Sequence, residues 1–221
     1  MEKFTNLDYF LTVKTAAPTI LPQRMGKGDF AKLFLNFANA HVLKATKNRK
    51  KLDTSGENLE IWQKIMRHQN RVEASELDQI KGLAFFGSVG TGKTLFLKTI
   101  KDFASSQGDK IKLYSAYDLV QVFFNDQTEW TRITKEKVQS FIIDEVGDEP
   151  AESQVYGNKE SVVYRFLKIK LDQLECGEDF RLYFSTNLTV KQLEERYGDR
   201  ILSRLKEYCE FIVLDKNKRN E

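Results

Sequence analysis

The residues Gly87-Ser88-Val89-Gly90-Thr91-Gly92-Lys93-Thr94 set two glycines around four residues and follow them with lysine and threonine, the spacing of a loop that cradles a triphosphate. Gly87, Gly90 and Gly92 let the backbone take conformations closed to side chains and turn its N–H groups toward phosphate oxygens. Lys93 is placed to span the β- and γ-phosphates and Thr94 to put its hydroxyl on magnesium. A helix starting there directs the positive end of its dipole at the anion, with Leu95 completing the nucleotide-binding set. An apolar stretch that reads as a strand precedes the loop and an amphipathic stretch follows it, the context the motif requires. ATP and Mg2+ are the ligands this chemistry implies.

Two further segments can complete a hydrolytic site. Phe141-Ile142-Ile143-Asp144-Glu145 is an apolar strand ending in two acids, which puts Asp144 at the carboxyl end of a sheet as the second metal-holding group and Glu145 where it can deprotonate a water. By itself such a strand end is equally a plain turn. Leu182-Tyr183-Phe184-Ser185-Thr186-Asn187 ends in an amide that can hold the attacking water, or simply cap the next helix. Arg200 and Arg204 lie four apart, on one helix face, where a guanidinium suits a transferring phosphoryl group; the alternative is a surface salt bridge such as Arg204 to Glu207.

The elements that must position these groups follow from pattern. With 221 residues, 41% hydrophobic and 30% charged, the chain accommodates one sizeable domain and a smaller extension, and no apolar stretch approaches the roughly 20 residues of a membrane span. The opening residues lack the order of a signal peptide, so a cytoplasmic location is expected. Cys176, Cys209, His41 and His68 have no metal-ligand spacing, and the thiols are expected to be reduced and structural. The net charge of +3 is too small to establish nucleic-acid binding. Residues 1–28, broken by Pro18, Pro22, Gly26 and Gly28, read as an extended arm. Residues 30–47 recur at helical spacing with Asp29 as cap, and a second helix is predicted over 58–70 with Thr54, Ser55 or Asn58 available to cap it.

Beyond Ile80, short apolar runs alternate with amphipathic stretches, the signature of a parallel sheet covered by helices. Strands are predicted at 83–87, 111–115, 140–144, 181–185 and 211–214. Helices are predicted through Leu95 to Phe103, near 118–124, over 159–175 and in pieces over 190–207. The division is thus an arm and helical extension over 1–78, possible ground for partner binding, and an ATPase domain over 79–221.

In this order, GSVGTGKT, FIIDEVG, YFSTNLT and YGDRILSRL resemble the AAA+ ATPases of the bacterial and phage replicative-helicase loaders and the helper ATPases of insertion-sequence transposition, the DnaC/IstB-like group. The likeness covers roughly residues 82–214. It implies an α/β P-loop NTPase of AAA+ type with a five-stranded parallel sheet in the order 5-1-4-3-2, flanked by helices and without a C-terminal helical lid. It assigns Lys93 and Thr94 to Walker A, Asp144 and Glu145 to Walker B and Asn187 to sensor 1, and it puts Arg204, with Arg200 beside it, where an arginine finger is expected. It further implies a replicative helicase or a transposase as partner, contact with single-stranded or duplex DNA, and a homo-oligomer in the ATP-bound state. The region before Gly82 matches nothing in that pattern.

For DNA, Tyr117, Phe123, Phe124 and Trp130 are either stacking platforms or core, and the basic run 44–51 is either a phosphate contact or a solvated helix end. The competing functions are a transposition helper, a nucleotide-gated switch with little hydrolysis and a small-metabolite kinase; the Asp-Glu pair with a water-positioning Asn speaks against the last.

Overall fold

The computed structural model describes residues 26–53, 56–71, 75–150, 153–155 and 158–214. Helices α1 (Lys27–Ala45) and α2 (Gly56–Gln69) precede β1 (Gly82–Phe86) and α3 (Lys93–Ser106). Then follow β2 (Ile111–Ser115), α4 (Ala116–Asn125), α5 (Gln127–Lys135), β3 (Ser140–Val146) and the short strands β4 (Ser153–Val155) and β5 (Asn158–Glu160). The chain continues through α6 (Val162–Glu175), β6 (Arg181–Thr186), α7 (Val190–Tyr197), α8 (Asp199–Tyr208) and β7 (Cys209–Val213).

Strands β2, β3, β6, β1 and β7 pair in that order, all parallel, and this is the expected 5-1-4-3-2 arrangement counted from the other edge. The central strands read as continuous apolar runs because helices cover both faces. Leu83 and Phe85 face one layer with Phe96, Leu97, Ile100 and Phe103 of α3. Ala84 and Phe86 face the other, with Phe123, Trp130, Phe166, Leu193 and Leu202. Gly82 is required by strand spacing, since a Cβ there would sit 1.7 Å from the Leu182 carbonyl oxygen.

The helical extension shares the core of the sheet. Phe30 and Phe34 of α1 pack on Phe103, with ring centroids 4.6 and 5.5 Å away, and Trp62 of α2 lies 4.4 Å from the Phe96 ring. Each such buried ring contributes about 1.5 to 3 kcal/mol relative to exposure, so α1 and α2 are bound into the layer that carries α3.

Several local expectations change. Residues 1–25 of the expected arm lie outside the described residues, whereas Lys27 and Gly28 are helical, so Asp29 sits within the first turn of α1 and no side chain caps it. Thr54 and Ser55 also lie outside the described residues, and Asn58 falls inside α2. The helix expected from Lys159 begins at Val162, because Ser161 caps it by accepting from the Tyr164 N–H; Lys159 itself belongs to β5, paired antiparallel with β4. Helix α5 was not anticipated. The expected helical pieces after residue 190 are α7, opened by a Thr189–Gln192 capping box, and α8, the two being separated by Gly198 at φ +86°.

Candidate nucleotide site

The turn from β1 into α3 brings the glycine-rich loop to the carboxyl end of the sheet, where open α/β sheets place their ligands. Gly87 adopts φ +150°, and a Cβ on it would come within 2.3 Å of the Leu214 carbonyl oxygen, so the loop approaches the end of β7 as only glycine permits. Lys93 is buried, and its Nζ donates to the Gly87 carbonyl at 2.6 Å, the Ser88 carbonyl at 2.9 Å and Asn187 Oδ1 at 2.7 Å. Thr94 Oγ1 donates to Asp144 Oδ1 at 3.2 Å. Lys93, Thr94, Asp144 and Asn187, read from three separate stretches of sequence, therefore meet at one place.

The end of β6 fastens onto the end of β3 through consecutive polar side chains. Ser185 Oγ donates to Asp144 Oδ1 at 2.5 Å and accepts the Glu145 N–H at 2.9 Å. Thr186 Oγ1 donates to the Val146 carbonyl at 2.6 Å, and Asn187 Nδ2 donates to Asp148 Oδ2 at 2.7 Å. The strand register shifts between Ile143 and Val146, and Glu145 takes a left-handed φ of +61°. The irregularity separates two adjacent acids: Asp144 is buried against Thr94, while Glu145 is exposed.

Sequence reasoning missed a clamp behind this turn. The buried carboxylate of Glu149 accepts the Gly147 N–H at 2.8 Å, the Tyr197 hydroxyl at 2.5 Å and the Arg196 guanidinium at 3.1 Å. Burial, reinforced by the Glu149 charge, pushes the Tyr197 hydroxyl up from its ordinary pKa and keeps it a donor. At Gly147, φ is +100° and a Cβ would collide with Leu188 at 2.5 Å, so the turn, α7 and the end of β6 fit around a bare backbone. Ser185, Asp148, Glu149, Arg196 and Tyr197 were all overlooked. The available signals were polar residues closing an apolar strand and two acids directly after Gly147.

The arginines are placed differently. Arg204 Nη1 donates to Asp172 Oδ1 at 2.7 Å, and its Nη2 contacts Glu175, both acids lying on α6 rather than at the Glu207 considered from spacing. Arg200 is exposed, and the two line a cavity of about 550 Å³ with Glu194, Asp199 and Glu207, among others; none of Lys93, Thr94, Asp144 or Asn187 borders it. Of the aromatics, Phe123 and Trp130 are core, their rings 4.9 Å apart, whereas Tyr117 is 59% and Phe124 41% exposed. Both cysteines are free, with Cys209 buried. No helix among the described residues is long and apolar enough to cross a membrane.

Structural comparison adds the fold's relatives. The DnaI structure superposes with a TM-score of 0.56 at 20% identity, covering 76% of this chain and 88% of DnaI. The fold is that of an AAA+ P-loop NTPase. The DnaC helicase loader matches with a TM-score of 0.52 at 16% identity over 74% of this chain and 93% of DnaC. AMPPCP-bound DnaA from Aquifex aeolicus matches with a TM-score of 0.52 at 19% identity, and there the match takes in 72% of this chain but only 47% of DnaA. No protein-family profile matches the sequence, and no curated protein matches it.

Proposed function

We propose that this chain is an ATP-hydrolysing AAA+ protein of helicase-loader type, which binds ATP with Mg2+ and acts on a DNA-associated protein assembly, a replicative helicase. The observation that carries the reading is the convergence of Lys93, Thr94, Asp144 and Asn187 at the carboxyl end of the sheet. The Thr94 hydroxyl and Asp144 carboxylate form an all-oxygen pair that fits Mg2+, which binds through one or two carboxylates and takes its other positions from phosphates and water. When bound, that ion supplies charge neutralisation at the phosphates.

The protein groups divide the remaining work. Lys93 exchanges its bonds to the Gly87 and Ser88 carbonyls and to Asn187 for phosphate oxygens. Asp148 holds Asn187 Nδ2, so the amide keeps its Oδ1 directed inward and can accept from a water once Lys93 has turned away. Glu145, exposed at the rim, takes the proton of that water as general base. ATP is held between subunits of a homo-oligomer, and an arginine of α8 reaches the γ-phosphate of a neighbour. Arg200 is exposed for that task, and Arg204 would first leave Asp172 and Glu175. Tyr117 and Phe124, exposed on α4, offer faces on which single-stranded DNA bases can stack.

The test is steady-state ATP hydrolysis by the purified chain with Mg2+, with and without single-stranded DNA and a replicative helicase. Turnover stimulated by these partners supports the reading. If calorimetry on folded protein detects no uptake of ATP with Mg2+, the function is wrong; uptake without turnover would leave a nucleotide-gated switch.

A further inference from the structure

The turn after β3 carries the proposed base at one end and a buried acid at the other. Glu145 is exposed, Glu149 is buried, and the Asp148 N–H closes the turn by donating to the Glu145 carbonyl at 3.1 Å. Glu145 and Gly147 both take positive φ values, +61° and +100°. A residue other than glycine keeps such a conformation only where its surroundings over-determine it. Ser185 Oγ accepts the Glu145 N–H from the side of β6, and Glu149 Oε2 accepts the Gly147 N–H from behind. The other oxygen of Glu149 faces α7, where it accepts from the Tyr197 hydroxyl at 2.5 Å and from Arg196 Nη2 at 3.1 Å. Arg196 Nη2 also donates to the Glu149 backbone carbonyl, so main chain and side chain are gripped together. Helix α7 is in turn seated in the core by Leu193 and Tyr197.

We infer that Glu149 is a positioning residue for Glu145, with Tyr197 and Arg196 as the groups that hold it in place. The inference rests on the proposed ATP hydrolysis and deepens it. A general base must stand within hydrogen-bond reach of its water, about 2.6 to 3.2 Å, and an error of about 1 Å costs about a hundredfold in rate. The Glu145 carboxylate has no partner among the described residues, so the backbone beneath it sets where it stands. Stability alone does not call for a charge at position 149. A buried ion pair repays little beyond the cost of its desolvation, and an apolar side chain of similar volume would fill the space as well. What the carboxylate adds is direction: donors from the turn and from α7 converge on its two oxygens and fix the turn against a helix.

The experiment uses the full chain with ATP and Mg2+, measuring uptake by calorimetry and turnover by steady-state kinetics. Glu149→Gln keeps the volume and removes the charge; Tyr197→Phe removes one hydroxyl and keeps the buried ring. Each is expected to lower kcat about tenfold with KM and uptake within about twofold, and the uptake also reports a folded protein. In a Glu145→Gln background, where the base is gone, adding Tyr197→Phe should change the residual single-turnover rate less than about twofold. A clamp that only supports the fold would lower the urea midpoint and leave kcat as it was. That result for Tyr197→Phe overturns the inference, with the ATPase reading intact. An undiminished tenfold loss in the Glu145→Gln background overturns it too, because the clamp then acts on something other than Glu145. Should Glu149→Gln lose uptake, Tyr197→Phe decides alone. If the unaltered chain neither takes up ATP nor turns it over, the ATPase reading fails first and the inference with it.

Discussion

The groups at the strand ends and the arginines of α8 reach their places by different means. Asp144, Glu145 and Asn187 close neighbouring parallel strands, and the register of β3 against β6 carries them to the same edge as the loop after β1. Once the strands are identified, their meeting is a property of the sheet. Arg200 and Arg204 sit on a helix packed against α6, and Arg204 is already engaged by that helix. A strand-end motif can thus be placed from sequence and topology, whereas a helix-borne arginine has a target that depends on what else, in this chain or another copy, comes near.

The largest effects should come from the strand-end group. Glu145→Gln is expected to lower ATP turnover about 10²- to 10⁴-fold with nucleotide uptake preserved, measured by steady-state kinetics and calorimetry. Unchanged turnover would remove Glu145 as the base. Lys93→Ala should lower turnover by about 10²- to 10³-fold and weaken uptake as well.

Glu149→Ala, which deprives Tyr197, Arg196 and the Gly147 N–H of their shared acceptor, should cost about 3 kcal/mol in urea unfolding. Arg204→Ala should cost under about 1 kcal/mol, since its partners Asp172 and Glu175 are 47% and 63% exposed. Equal losses for these two variants would erase the contrast between the buried clamp and the solvent-facing pair. If Arg204→Ala leaves turnover intact at every protein concentration, that arginine serves only to tie α8 to α6.

Helix α6 sharpens the comparison from within, because two positions before Asp172 it buries a cation with no carboxylate in contact among the described residues. Lys170 Nζ donates to the Thr134 carbonyl at 2.9 Å and lies 3.8 Å from the Phe141 ring centroid. Burial pulls its pKa down to about 8 from 10.5, against weaker opposing pulls from Glu178 and Glu136. Below pH 8 the amine is charged in both the folded and unfolded states, and the folded state bears the cost of burying that charge. Between pH 8 and 10.5 the folded state releases its proton first, so stability from this group rises with pH, by at most about 3 kcal/mol. Lys170→Met should abolish that rise when its unfolding is compared with that of the unaltered chain. The Thr134 carbonyl keeps a donor in Gln173 Nε2 at 3.0 Å. Parallel pH profiles for the two proteins would show that the amine stays protonated.

The fold and the convergence of Lys93, Thr94, Asp144 and Asn187 in the candidate site were legible because they rest on contiguous signals. The glycine spacing of the loop, the apolar runs of β1, β3 and β6 and the acids after Ile143 each lie within a few residues of one another. What was not legible depends on distance along the chain: Ser185 is 41 residues from Asp144, and Tyr197 is 48 from Glu149. No periodicity marks such pairs. Helix α5 is another matter, since Asp126 followed by Glu129 is a cap signature and Asp126 Oδ1 does accept the Glu129 N–H at 2.8 Å. The path of residues 46–53 between α1 and α2 was not legible, because the basic run there reads equally as a phosphate contact or a solvated helix end, and the left-handed pair at Lys47 and Asn48 that turns the chain carries no sequence mark.

The backbone of Glu145 has a consequence for how the protein would respond to selection. A residue other than glycine held at φ +61° stores strain of about 1 kcal/mol or more, and replacement by glycine relieves it. A library screened for heat tolerance alone should therefore enrich Glu145→Gly, yielding sturdier proteins without the proposed general base.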